Sequence, residues 1–193
     1  MTDFKSADVK AMALGLLHAD SEDEVVEILQ SNGLWDNRAL WRLYGDKEGN
    51  FAQAGNQQAL PEAALVEKIV NCCDSRLMLE CLKQKIDPVS AAAPSSVRDA
   101  VAMFFENRRA EGGQAGSLVN WLAPTRTKES RFITIAATGG RPTQGRKAKR
   151  MCLTISDQAE GQSPSRLPQT ILSLNAKNKQ RIRFVQGKFN MGG

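Results

Sequence analysis

Apolar residues recur at helical spacing in three stretches, and two others read as strands. Val9, Met12, Ala13, Leu16 and Leu17 predict a helix over residues 6–18. Ser21 with Glu24 three residues on forms a capping-box signature inside Asp20-Ser-Glu-Asp-Glu24. A second helix is therefore predicted to start there, run to about Gln30 and stop at Asn32-Gly33. Residues 34–60 interleave Trp35, Trp41, Tyr44 and Phe51 with Gly45, Gly49 and Gly55, which reads as a packed loop with at most one short helix.

Pro61 suits a first helical position, where its missing N–H leaves nothing unpaired. Val66, Ile69, Val70, Cys73 and Leu77 then predict an apolar stripe along a helix over 61–84, and Asp87-Pro88 ends the pattern. Val97, Val101, Phe104 and Phe105 predict a further helix from Ser96 to Arg109. Residues 111–130 read as loop. Residues 131–138 and 151–156 read as strands of an antiparallel hairpin with a long basic tip. A short helix is expected near 167–175. Residues 181–185 fit either another strand or an extended entry to the glycine-bearing end.

The net charge of +5 conceals an asymmetry. Residues 1–106 hold 10 Lys+Arg against 17 Asp+Glu, and residues 107–193 hold 16 against 4. A basic half of this kind can attract phosphates, nucleic acid or an acidic partner, or face the acidic half of its own fold. No apolar run reaches the roughly 20 residues of a membrane helix. The first residues lack a signal-peptide pattern, so a cytoplasmic address and no membrane are expected. Cys72 and Cys73 are adjacent, a poor geometry for two ligands of one metal, and the chain has one histidine, His18. The four cysteines therefore read as buried small hydrophobes in a reducing compartment.

Three short pieces carry candidate chemistry. Glu67, Asn71 and Asp74 lie at i, i+4 and i+7, on one face of the 61–84 helix. A carboxylate there can orient or deprotonate water, and an amide oxygen suits Mg²⁺. Asp157-Gln-Ala-Glu-Gly161 follows a strand; its carboxylate can accept a hydrogen bond from an exocyclic amine. Gly187-Lys-Phe-Asn-Met-Gly192-Gly193 offers backbone N–H groups to phosphates. Alone, each also fits a blander reading: a solvated helix face, a polar turn, a flexible end. No Gly-x-x-x-x-Gly-Lys-Ser/Thr is present, so this is no P-loop.

Taken together, the pieces resemble the ATPase superfamily shared by gyrase B, the large heat-shock chaperones, MutL and histidine kinases (the GHKL superfamily, with its Bergerat ATP-binding fold). Glu67-x-x-x-Asn71-x-x-Asp74 is similar to its N-box, Asp157 to Gly161 to its second box, and Gly187 to Gly192 to its lid. The resemblance covers roughly residues 58–193. It implies ATP and Mg²⁺ as cofactors and hydrolysis to ADP and phosphate as a conformational switch. It implies Glu67 as general base, Asn71 as the Mg²⁺ ligand and Asp74 on the nucleotide side. Asp157 would read the adenine amine and Gly161 would shape the adenine floor. Gly187, Asn190, Met191, Gly192 and Gly193 would cover the phosphates. The implied fold is α+β, a two-layer sandwich with helices on one face of a mixed, mostly antiparallel sheet. It would occupy residues 57–193 behind a helical extension at 1–56.

Two departures stand out within the motifs: Ala159 replaces a glycine of the second box, and Asn190 stands where a lid glycine is common. The family continues past its lid with a helix and further strands, so a fragment lacking C-terminal strands is expected. The catalytic forms dimerise, which implies a homodimer. Two alternatives compete: a nucleic-acid-binding module using residues 141–150 and 177–183, and a nucleotide-gated scaffold without significant turnover.

Overall fold

The computed structural model describes residues 6–50, 60–105, 115–118, 121–138, 152–170, 172 and 179–187. The chain divides into two compact units. One comprises Met1–Arg42 with Ile135–Thr154, the other Leu43–Thr134 with Ile155–Gly193. The protein is mixed α/β, mostly helical, with a two-stranded antiparallel sheet among the described residues.

In the first unit, α1 (Ser6–His18) and α2 (Glu22–Ser31) follow the predicted periods. The cap forms as the sequence asks: Glu24 N–H donates to Ser21 Oγ at 3.2 Å. The reciprocal bond goes one residue further out, from Asp20 N–H to Glu24 Oε2 at 2.8 Å. Three acids in the first turn of α2 face the positive end of its dipole. Beyond α2 lies a 3₁₀ turn, Arg38–Leu40, beside which Trp35 and Trp41 meet edge to face at 5.7 Å.

The second unit opens on another 3₁₀ turn, Tyr44–Asp46, in which Gly45 has φ +61. A Cβ on Gly45 would stand 2.2 Å from the Leu172 carbonyl oxygen, so both the backbone conformation and the close approach require glycine. Three helices follow: α3 (Pro61–Lys83), α4 (Val97–Phe105) and α5 (Ala123–Ser130). α3 begins on Pro61 as predicted. The predicted extension of α4 to Arg109 lies outside the described residues. α5 falls in a stretch read as loop. It has no buried face to announce it, and its cue is Pro124 in the first turn.

Strands β1 (Ile133–Thr138) and β2 (Cys152–Asp157) form the predicted hairpin. Gln158 N–H donates to Phe132 O at 2.8 Å and carries the pairing one step past β2. A 3₁₀ helix spans Pro164–Gln169, overlapping the start of the short helix expected near 167–175, of which residues 171 and 173–175 lie outside the described residues. Residues 181–185 form no strand. They turn, with Ile182 N–H bonded to Lys179 O at 3.1 Å, and drive Ile182, Phe184 and Val185 into the core.

That core joins Leu77 and Cys81 of α3 to Ala100, Val101, Phe104 and Phe105 of α4, with Ala93 and the three residues of the late turn. Phe184 is fully buried and meets Phe104 edge to face at 6.2 Å. The predicted stripe on α3 is corrected at two positions. Val66 and Cys73 are exposed, while Cys72, Asp74, Arg76, Leu77 and Cys81 are buried. The helix turns polar groups inward because each of the two charged ones finds partners there. The expectation that all cysteines are buried fails at Cys73 for the same reason.

Arg76 is the second buried charge. Its guanidinium lies over the Phe132 ring at 4.2 Å and the Phe105 ring at 5.0 Å. It also pairs with Glu80 one turn on and with Glu129 of α5 at 3.0 Å. Burial alone would raise the Glu80 carboxyl, but hydrogen bonds from Arg76 and Lys83 outweigh it and hold the group below its ordinary value.

Truncating the side chain at the centre of this core tests the packing. Phe184→Ala is expected to cost about 3–5 kcal/mol in a urea unfolding titration, the usual range for a buried phenylalanine.

Candidate functional site around Asp74

The polar face of α3 is built from Glu67, Asn71 and Asp74, as the spacing predicts, and the late turn lies against it. Asp74 is fully buried. Its Oδ1 accepts from Gln186 N–H at 2.9 Å and its Oδ2 from Gly187 N–H at 2.8 Å. Two successive backbone donors thus hold one carboxylate, a charge-assisted arrangement. The Lys179 ammonium stands 3.7 Å from Asp74 Oδ2 and donates to Asn71 Oδ1 at 3.1 Å.

Gly187 closes on this face. A Cβ there would lie 2.9 Å from Asn71 Oδ1 and 3.2 Å from Asp74 Oδ2. Close approach to the two side chains, rather than an unusual φ, is what demands glycine here. The turn is positioned from behind by its buried apolar residues and by Arg183, whose Nη2 donates to Ser90 O at 3.1 Å and Ala93 O at 3.0 Å.

The second motif reaches the same helix one residue along. Burial, and then the charge and hydrogen bond of Asp157, push the Cys72 thiol up to about 11. Asp157 Oδ1 also accepts from Ala159 N–H at 3.1 Å, so the carboxylate caps its own turn. Gly161 takes φ +63 with open space around its missing Cβ; backbone conformation alone selects glycine there. Glu67 is half-buried and makes no side-chain hydrogen bond or ion pair among the described residues.

Of the predicted site residues, Asn71, Asp74 and Gly187 therefore meet directly, and Asp157 joins them through Cys72. Glu67 shares their helix, and Gly161 lies four residues beyond Asp157. Asn190, Met191, Gly192 and Gly193 lie outside the described residues, as do 141–150 and 177–178 of the predicted nucleic-acid contacts. In the described part of that second stretch, Lys179 is tied to Asn71, Arg183 is exposed with its guanidinium bonded to two backbone carbonyls, and Arg181 is exposed. Sequence reasoning missed Lys179 as a partner of Asn71, since a separation of 108 residues leaves no local signal.

A Mg²⁺ or nucleotide requirement can be compared with these donors. Among the described residues no group of three or more His, Cys, Asp or Glu side chains is placed to hold a metal by itself. The Asn71 amide oxygen faces a cation, the Lys179 ammonium, and the Gly187 backbone packs so closely against it that a Cβ there would clash. An amide oxygen is a ligand type that hard cations take, and here it is paired with the Lys179 ammonium. Among the described residues, no helix is long and apolar enough to cross a membrane.

Two outcomes follow. Asp74→Ala leaves the Gln186 and Gly187 N–H groups without their acceptor and is expected to lower stability by about 1–3 kcal/mol in urea titration. For Cys72, the folded protein retains its proton above the ordinary value of 9.0. The resulting stabilisation is complete below pH 9 and is lost as pH rises through about 11. The urea midpoint of the wild type should fall across that window, and Cys72→Ala should flatten the fall.

No family model, no curated protein and no solved structure matches this chain.

Proposed function

We propose that the protein binds ATP with Mg²⁺ on the polar face of α3 and hydrolyses the nucleotide as a conformational switch. The observation that carries this reading is the convergence of the three motifs. Asp74 accepts from Gly187 N–H with Asn71 close beside it, and the Asp157 carboxylate acts on the Cys72 thiol, across sequence separations of 85 to 116 residues. Two polar turns far apart in sequence lie against α3, and a GHKL-type pocket needs such an arrangement.

In this reading Asn71 supplies an amide oxygen to Mg²⁺, which neutralises phosphate charge when bound. Glu67, on the same face and free of competing partners among the described residues, orients and deprotonates the attacking water. Asp157 accepts from the adenine amine, and Gly161 keeps the backbone low beneath the ring. Gly187 begins the segment that covers the phosphates and continues through Asn190, Met191, Gly192 and Gly193. The α3–α4 layer and the β1–β2 hairpin belong, in this proposal, to a two-layer sandwich with helices on one face of a larger sheet. The competing nucleic-acid reading is weakened at Lys179, whose ammonium is engaged by Asn71 and Asp74.

The test is thermal unfolding with and without ATP–Mg²⁺. At about a hundred times Kd, the midpoint is expected to rise by about 5–10 °C. Asn71→Ala should abolish the rise. Glu67→Ala should keep the rise and lower phosphate release by about 10²–10⁴-fold. A midpoint that ATP–Mg²⁺ does not move removes the nucleotide pocket; phosphate release unaffected by Glu67→Ala removes Glu67 as base.

A further inference from the structure

Lys179 occupies a place that the proposed chemistry assigns to another cation. Its Nζ donates to Asn71 Oδ1 at 3.1 Å and stands 3.7 Å from Asp74 Oδ2. Asp74 meanwhile holds the Gln186 and Gly187 N–H groups, and Gly187 lies so close to Asn71 that a Cβ would sit 2.9 Å from its oxygen. Lys179 and Gly187 are thus the two ends of one short turn: Lys179 reaches Asn71 and Asp74, and Gly187 is bonded to Asp74 and packed against Asn71. The turn covers the polar face rather than merely bordering it.

The anchors of this cover differ in permanence. Ile182, Phe184 and Val185 are buried and fix the middle of the turn. The Lys179 side chain is 26% exposed and reaches the site on a flexible stem. Its contact with Asn71 is one charge-assisted hydrogen bond, open to exchange with another cation at the same oxygen. A doubly charged ion and an ammonium cannot share that oxygen without strong repulsion.

We infer that Lys179 is a built-in counter-cation that latches residues 179–187 over Asn71 and Asp74, and that a divalent cation entering with its nucleotide must displace it. The second half rests on the ATP reading above; the first half does not. The latch makes the ligand-free face self-satisfied: the carboxylate and the amide have partners before any ligand arrives. Ligand binding and the Lys179 contact are then coupled with opposite sign, and each weakens the other by the same factor.

The experiment compares wild type, Lys179→Met and Lys179→Arg. Amide hydrogen exchange of Gln186 and Gly187 is measured without nucleotide, and ATP–Mg²⁺ affinity by calorimetry. Lys179→Met is expected to speed exchange at both amides by about tenfold and to tighten ATP–Mg²⁺ binding by about tenfold, a common size of coupling. Lys179→Arg, which keeps the charge, should retain slow exchange. Unchanged exchange in Lys179→Met overturns the latch. Weaker ATP–Mg²⁺ binding in Lys179→Met also overturns it, because Lys179 would then serve the phosphates. If no variant binds ATP–Mg²⁺, the nucleotide reading and the displacement step fall together, and the exchange rates alone decide the latch.

Discussion

A buried carboxylate organises this protein. Asp74 is removed from water at mid-helix, where an unpaired charge would be prohibitively costly. It is tolerated because two consecutive backbone N–H groups, 112 and 113 residues away, point at its two oxygens. The dependence runs both ways. Without Asp74 the two amides would lose their acceptor, and without the turn the carboxylate would lose its donors. The position of the turn, the need for glycine at 187 and the reach of Lys179 to Asn71 all follow from that pairing. The hydrophobic core beneath, with Phe184 at its centre, brings the turn near; the carboxylate sets where it stops.

The helices were legible wherever a repeating apolar face exists. α1, α2 and α3 lie where the 3.6-residue period puts them, and Ser21 marks the start of α2. The hairpin was legible from two β-rich runs. Elements without a face were not: α5 is short and polar, and the 181–185 run fits a strand or an extended entry until its neighbours bury it as a turn. The inward face of α3 was misjudged at Val66 and Cys73 because periodicity counts apolar residues and cannot weigh a charged residue with a distant partner.

The candidate site was legible in a different way. Spacing alone put Glu67, Asn71 and Asp74 on one face, and motif order joined them to Asp157 and Gly187. Asn71, Asp74 and Gly187 do come together. Nothing local announces Lys179 as a partner of Asn71. A lysine within a basic run looks like a surface charge until long-range packing supplies its acceptor.

Arg76 gives α3 a second anchor, and its placement constrains how the helix can move. Asp74 and Arg76 are two residues apart, which sets them about 200° apart around the helix axis. One is gripped by the late turn, the other stacked on Phe105 and Phe132 and tied to Glu129. Charged fastenings on nearly opposite sides act like the key and keyway of a shaft. Rotation of α3 would break both sets at once, so the azimuth at which Glu67 and Asn71 are presented is indexed by buried charges on opposite sides of one helix.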